Sequence, residues 1–398
     1  MLIDVTRQVQ RSLQRRLPTG VDRVSNAYLD HYRDRASALV RIAQRWVVLR
    51  PRESRCVFDQ VLSPSPGSVR RLAAALGRGI AWPARTPGGQ VLINTGHSGL
   101  EHPRYAAAVR KRRLLPIYFG HDLIPISHPE YSRAGEEHRH RRRLQTMFET
   151  GKALIVNSQA TRAAFADYAH TQGLRMPECV VAPLAPAPLP LPLSAEQAPL
   201  ARSYFVILGT IEPRKNHALL LQVWRGLIEK LGNRAPLLVV IGQRGWECDH
   251  VVNLLDRCPQ LRGHVLHKPR SGDHELATWL RHARALLFPS FVEGYGMPLV
   301  EALTLGVPVI ASNLPVFREI AGAIPDYLDP LDGLGWQRII QEYALNNEVR
   351  QKQLQRLQGY AAPRWSEHFA LVDPLVDQLQ RQAGHFAARN RWVYAADY

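Results

Sequence analysis

Two stretches of this 398-residue chain place charged side chains where they can grip a ligand rich in phosphate and hydroxyl groups. In "FVILGTIEPRKNHALLLQVW" (205–224) an apolar strand runs out at Gly209, a short loop carries Arg214 and Lys215, and Asn216 stands at the cap of the helix that follows. Two cations beside the positive end of a helix favour an anion, and Gly209 lets the backbone come close to it. A pyrophosphate is the natural guest. The chain has no G-x-x-x-x-G-K-[ST] phosphate loop, and its first half has no G-x-G-x-x-G, which counts against a nicotinamide dehydrogenase.

The second stretch, "FPSFVEGYGMPLVEALTLGVPVIAS" (288–312), sets Glu293 in a glycine-rich loop and Glu301 in an apolar helix. Pro298 suits a first helical turn, which puts Met297 near the N-cap and Glu301 about one turn inside. The helix "PLVEALTL" is apolar on nearly every face, so Glu301 is predicted to be buried with partners. On a continuous helix eight residues amount to a rise of ~12 Å and a rotation of roughly 80° off the same face. That geometry excludes a glycosidase pair, whose carboxyls lie about 5–9 Å apart and aim at one bond. The two glutamates are expected to hold different parts of one extended ligand.

The elements that must position these residues read as alternating strands and helices. In the first half "LIDVT" (2–6), "VLINT" (91–95), "LLPIYFG" (114–120) and "ALIVNS" (153–158) are predicted strands. Helices are predicted over 21–34 and 158–170. The alternation breaks at "APLAPAPLPLPLSAEQAPL" (182–200), whose prolines favour an extended linker. It resumes with strands at 203–209, 236–242, 263–268, 285–290 and 307–312. The fold class is therefore α/β, in two Rossmann-like halves with parallel sheets and a cleft between them as the default site. The expected domains are 1–182, a linker over 183–200, a second domain over 201–366, and a helical segment over 367–398 that packs back across the body. Residues 36–90 are assigned no strand or helix.

Taken together, the segments "GTIEPRKN" (209–216) and "PSFVEGYGMPLVEALTLGVPVIASNLPVFREIAG" (289–322) resemble retaining nucleotide-sugar glycosyltransferases of the GT-B architecture, in the large family-4 group. "DVT…TGVDRV" (4–24), "HDLIPISHPEY" (121–131) and "VNSQATRAAF" (156–165) look like members acting in bacterial surface-polysaccharide assembly. "GAIPDYLDP" (322–330) departs from the family's commoner Gly-Asp-Ala run at the edge of the donor site.

The resemblance implies roles for particular residues. Arg214 and Lys215 neutralise the donor diphosphate, Glu301 binds ribose hydroxyls, and Glu293 binds the donor sugar. Backbone amides over Gly294, Tyr295, Gly296 and Met297 cradle sugar and phosphate beside Gly209. Gly20 begins a helix aimed at the phosphates, and His121 lies near the transferred sugar. Asn94, His97 and Asp122, also at strand ends, are candidates for the acceptor side. The implied reaction moves a hexose to an acceptor hydroxyl with retention and without a metal or other cofactor. The implied donor is a GDP-sugar, with a UDP-sugar next, and the implied acceptor is lipid-linked. No enzymic nucleophile is visible.

Charge agrees with an anionic partner. Residues 1–200 carry 29 Lys/Arg against 15 Asp/Glu, whereas residues 201–398 carry 22 against 19. Clustered arginines in the basic half are expected to hold the protein at an anionic inner-membrane face. Nucleic acid is the competing partner, but the runs "KRR" (111–113) and "RRR" (141–143) contain no interleaved aromatics. A catalytically silent GT-B scaffold and a sugar-nucleotide epimerase compete with the transferase reading as well. "EEHRHRRR" (136–143) reads as a solvated helix face, and its histidines lack a companion ligand set for a metal. Four scattered cysteines, no C-x-x-C and no hydrophobic leader suit the cytoplasm.

Overall fold

The computed structural model describes residues 1–16, 19–42, 45–84, 88–188, 190 and 197–393. The chain divides into two compact units. The first comprises residues 1–126, 135–184 and 365–398, and the second comprises residues 127–134 and 185–364.

The first unit is built on seven strands: β1 (Leu2–Asp4), β2 (Ser37–Ile42), β3 (Arg45–Val48), β4 (Val91–Asn94), β5 (Leu115–Gly120), β6 (Ala153–Val156) and β7 (Glu178–Val181). They lie in the order β3-β2-β1-β4-β5-β6-β7, parallel throughout except for the β2–β3 hairpin. The central strands are buried along their length, as their unbroken Val/Ile/Leu runs require of a sheet covered on both faces. Four helices flank the N-terminal half of this sheet: α1 (Thr6–Leu13), α2 (Gly20–Tyr32), α3 (Pro51–Leu62) and α4 (Ser68–Ala81). β2, β3, α3 and α4 fill the stretch assigned no element from the sequence.

The second unit has six strands: β8 (Tyr204–Leu208), β9 (Leu237–Ile241), β10 (Val265–Lys268), β11 (Leu286–Phe288), β12 (Val309–Ser312) and β13 (Asp326–Leu328). Their order is β10-β9-β8-β11-β12-β13, all parallel. That is the 3-2-1-4-5-6 order of a doubly wound sheet, which reverses direction between β8 and β11 and opens a crevice beyond their carboxyl ends. In the first unit the corresponding reversal lies between β1 and β4. Trp224, Trp336, Leu238 and Val240 anchor the core of the second unit.

One boundary differs from those read in the sequence. Residues 127–134 pack with the second unit rather than the first: Tyr131 stacks on Phe291 at 5.3 Å, and Arg133 lies over the Trp246 ring at 4.8 Å. The C-terminal helix Trp365–Val393 belongs to the first unit. There His368 bonds the Tyr28 hydroxyl (2.8 Å) and the Pro183 carbonyl (3.0 Å), His31 stacks on Phe369, and Asp373 accepts from Tyr32 and Arg35. Of the linker expected over 183–200, residues 189 and 191–196 lie outside the described residues.

Candidate functional site

The predicted cation loop and the predicted Glu293 loop emerge from β8 and β11, the two strands that flank the reversal point of the second sheet. The loops are tied together by Phe291 N–H donating to the Arg214 carbonyl (2.8 Å). Beyond β8 the chain takes φ +145 at Gly209, where β9's Gly242 comes so close that a Cβ on Gly242 would sit 1.9 Å from the Gly209 carbonyl oxygen. Glycine at both places lets the two backbones touch.

Arg214 and Lys215 converge on one carboxylate. Arg214 Nη1 lies 2.6 Å from Glu293 Oε2, and Lys215 Nζ pairs with Glu293 Oε1, which also accepts from Ser290 Oγ (2.7 Å). Arg214 Nε reaches back 2.6 Å to Glu212, a residue that sequence reasoning passes over. Lys215 is 7 % exposed and its ammonium lies over the Phe288 ring. Two cations and two carboxylates therefore form one network, with the side chains of Lys215, Glu293 and Glu212 buried and that of Arg214 partly exposed. Burial alone would raise the Glu293 pKa, but Arg214 and then Lys215 outweigh it and hold the carboxyl at about 2. Burial and the neighbouring Arg214 lower the Lys215 pKa against the pull of Glu293, while burial raises that of Glu212.

Asn216 differs from its predicted role. It adopts the left-handed region (φ +57) and makes no side-chain cap; its Nδ2 donates to the Pro330 carbonyl at 2.8 Å. Next to it His217 is buried with neither ring nitrogen hydrogen-bonded. Burial, Lys215 and His267 push its pKa down to about 3.

Glu301 is 5 % exposed and sits in the second turn of the helix Met297–Thr304, with Pro298 in the first. The turn ahead of that helix passes through Gly296 at φ +115, where a Cβ would lie 2.8 Å from the Phe317 ring. Only glycine suits both the dihedral and the space. Gly294 and Tyr295 complete the loop between Glu293 and the helix, with Tyr295 buried.

In the first unit Asn94, His97, His121 and Asp122 collect at the carboxyl ends of β4 and β5, and their chemistry is different. His97 has φ +56 and its Nε2 bonds the Phe119 carbonyl (2.5 Å); His121 Nε2 bonds the Thr95 carbonyl (2.7 Å). Their rings lie 5.0 Å apart, and His140 lies 6.0 Å from His97. His140 corrects the solvated reading of "EEHRHRRR": it is 4 % exposed and bonds the Asp122 carbonyl. Burial lowers the pKa of all three rings, furthest for His97, where the other two histidines add to it. Asp122 itself caps the next turn through the Ile124 N–H.

Asn94 is fully buried; its Nδ2 is engaged inside the unit, while its Oδ1 has no hydrogen-bond partner. Nδ2 donates to Tyr105 Oη (3.0 Å), the Ser98 carbonyl (3.2 Å) and Asp4 (3.4 Å). Gly20 opens α2 behind a Thr19–Asp22 capping box, and Asp22 is paired with Arg7 (2.7 Å) and Arg11 (2.8 Å). Among the described residues no three His, Cys, Asp or Glu side chains are grouped to hold a metal ion, and no helix is long and apolar enough to cross a membrane.

Known proteins resemble this chain in both sequence and fold. Residues 194–323 match the family model Glycosyl transferases group 1. The O-antigen chain mannosyltransferase B of Escherichia coli is 30 % identical over 219 residues, covering 53 % of this chain and 56 % of that protein. The O-antigen chain mannosyltransferase RfbU of Salmonella typhimurium is 29 % identical over 192 residues, 48 % of each chain. The chain thus spans about half the length of these curated relatives. Among solved structures, Anabaena HepE in complex with UDP and glucose superposes with a TM-score of 0.65 at 16 % identity, over 96 % of this chain and 99 % of that one. WaaG, a glycosyltransferase involved in lipopolysaccharide biosynthesis, gives a TM-score of 0.55 at 15 % identity, over 73 % and 90 %.

Proposed function

We propose that this chain, a GT-B protein of the family-4 type whose second unit carries a Glycosyl transferases group 1 domain, moves a hexose from a nucleotide diphosphate sugar to a hydroxyl of a lipid-linked or growing surface polysaccharide. The observation that carries the reading is the Arg214–Lys215–Glu293 network at the reversal point of the second sheet. The leaving diphosphate gains charge as the glycosidic bond breaks, and preorganised cations stabilise that charge without reorganising. Arg214 and Lys215 supply them, so the charge-neutralising part falls to side chains rather than a metal.

Glu293, ionised at every working pH, is the counter-ion that keeps both cations in place and offers its oxygens to sugar hydroxyls. Glu301 holds the ribose. His121 and His97 are neutral and present hydrogen-bonding imidazoles beside the sugar instead of a third positive charge. No side chain takes the role of nucleophile. The acceptor attacks on the face the diphosphate leaves, its proton passes to the departing phosphate oxygen, and the anomeric configuration is retained.

Two O-antigen mannosyltransferases among the relatives support mannose as the sugar, and the reading takes it from GDP-mannose, with a UDP-sugar next in view of the UDP held by HepE. The protein works at the inner face of the cytoplasmic membrane. The test is a panel of nucleotide sugars scored for nucleotide release, with and without a lipid-linked acceptor extract and with EDTA. Acceptor-dependent release from GDP-mannose that survives EDTA, giving an α-linked product, is expected. Silence with every nucleotide sugar would sink the reading.

A further inference from the structure

A cavity of about 1000 Å³ opens within the first unit among α1, α2 and the α3–α4 connection. Its rim is strongly basic: Arg11, Arg15, Arg16 and Arg70 line it, and the last three are exposed. Among the described residues its one acidic lining side chain, Asp22, is already paired with Arg7 and Arg11. Its walls are apolar, from Val61, Leu62 and Leu72.

At the inner wall Gln8 is 5 % exposed with neither amide atom hydrogen-bonded, and the Asn26 amide oxygen is likewise buried without a partner. An unmade hydrogen bond on a buried amide is costly enough that native structures rarely keep one. Three unsatisfied atoms along one cavity therefore point to a ligand. The ligand must carry negative charge for the arginines, hydrogen-bonding oxygens for the amides, and an apolar body for the walls.

We infer that the cavity binds the phosphate or diphosphate head of a lipid, together with the first part of its chain. The helices that form the cavity favour a lipid over a soluble phosphate. Leu13 on α1, Ile80 at the end of α4 and Trp82 just beyond it are exposed by 39 %, 50 % and 62 %. Ile80 lies about 15 Å along α4 from Arg70, and exposed tryptophan beside arginine suits a bilayer interface. Identifying this lipid as the carrier of the acceptor sugar rests on the function proposed above; the lipid-phosphate site does not.

The test titrates the full-length protein, saturated with a nucleoside diphosphate to fill the second unit, with farnesyl diphosphate. Inorganic diphosphate and farnesol serve as separate arms. The paired change Arg15→Glu with Arg16→Glu alters exposed residues and should weaken farnesyl diphosphate by at least about tenfold, since charge-assisted contacts become repulsive. Gln8→Leu should weaken it several-fold while raising the melting temperature of the ligand-free protein. Each arm alone should bind at least about tenfold more weakly than farnesyl diphosphate. Unchanged affinity in the arginine variant, or inorganic diphosphate or farnesol binding as tightly as the amphiphile, would overturn the inference. Nucleotide-sugar binding by the wild-type protein is measured separately. Its absence would remove the proposed function and leave the lipid site to be judged by the amphiphile alone.

Discussion

The strand ends near the reversal of each sheet gather side chains of different kinds. Beyond β8 and β11 lie two cations and two carboxylates, mutually paired and, Arg214 apart, buried. Beyond β4 and β5 lie three imidazoles whose pKa values are all depressed, bonded to main-chain carbonyls. The second unit thus stores fixed charge of both signs there; the first sets neutral imidazoles at the ends of β4 and β5 and keeps its charge in separate pairs such as Asp22 with Arg7 and Arg11. Buried ions are tolerated only when paired, and removing one partner leaves a charge the interior cannot solvate. Glu293 thus pairs with both cations before any ligand arrives, and under the proposed function an incoming diphosphate would have to share those cations with it. The imidazoles face no such exchange: burial keeps them neutral, although Asp122, Asp22, Arg7 and Arg143 act on them from nearby.

The sharpest way to break this contrast is to discharge the second unit. Arg214→Ala and Lys215→Ala should each lower kcat by ~10²–10³, the range seen when one preorganised donor to a developing anion is lost. Near-wild-type turnover in both would mean that the diphosphate lies elsewhere. Glu293→Gln tests the counter-ion half of the argument. It removes the carboxylate that both cations share, so the ligand-free protein should lose ~3–5 kcal/mol of stability. A nucleoside diphosphate should then restore more stability to this variant than to the wild type, because the phosphates replace the missing charge. Equal stabilisation of the two proteins in thermal melts would show that Glu293 and the diphosphate do not share the cations.

Much of this architecture is legible in the residues alone, and the exceptions have physical causes. The nine strands expected along the chain all form, because unbroken Val/Ile/Leu runs bounded by glycine have few other homes in a parallel sheet. The buried helix with Glu301 is legible from its apolar faces. Glu212 escapes notice because a carboxylate two residues from a cation looks like solvated loop chemistry. Only the fold of the loop brings it 2.6 Å from Arg214. His140 misleads because the helix Glu136–Thr150 is so highly charged that its buried stripe is hidden. Asn216 has the right residue type for a cap, but the 3-10 turn over Pro213–Lys215 forces it into the left-handed region. Residues 127–134 adjoin the first unit in sequence while packing with the second, a matter of aromatic stacking that no local pattern encodes.

The gentlest test separates the units by pH. Glu293 is depressed in the folded state, so its contribution is present above the unfolded carboxyl value and is lost only as pH falls toward about 2. His97, His121 and His140 are depressed below the ordinary imidazole value. The unfolded chain therefore takes up protons first, and stability present above about pH 6.5 is lost as pH falls below it. His217 and His368, held at about 3 and about 4, add to the same decline. Between pH 7 and pH 5 the melting temperature should therefore drop through imidazoles, while Glu293 stays ionised in both states and contributes nothing to the change. His97→Asn suits the φ of +56 at that position. It should flatten the decline by up to ~1.4 kcal/mol per pH unit, whatever its cost at pH 7.5. The slope is the diagnostic, because losing the bond to the Phe119 carbonyl lowers stability equally at every pH. If the slope of the variant matches the wild type, His97 is already protonated in the folded protein. The first unit would then store charge beyond β4 and β5 as the second does beyond β8 and β11.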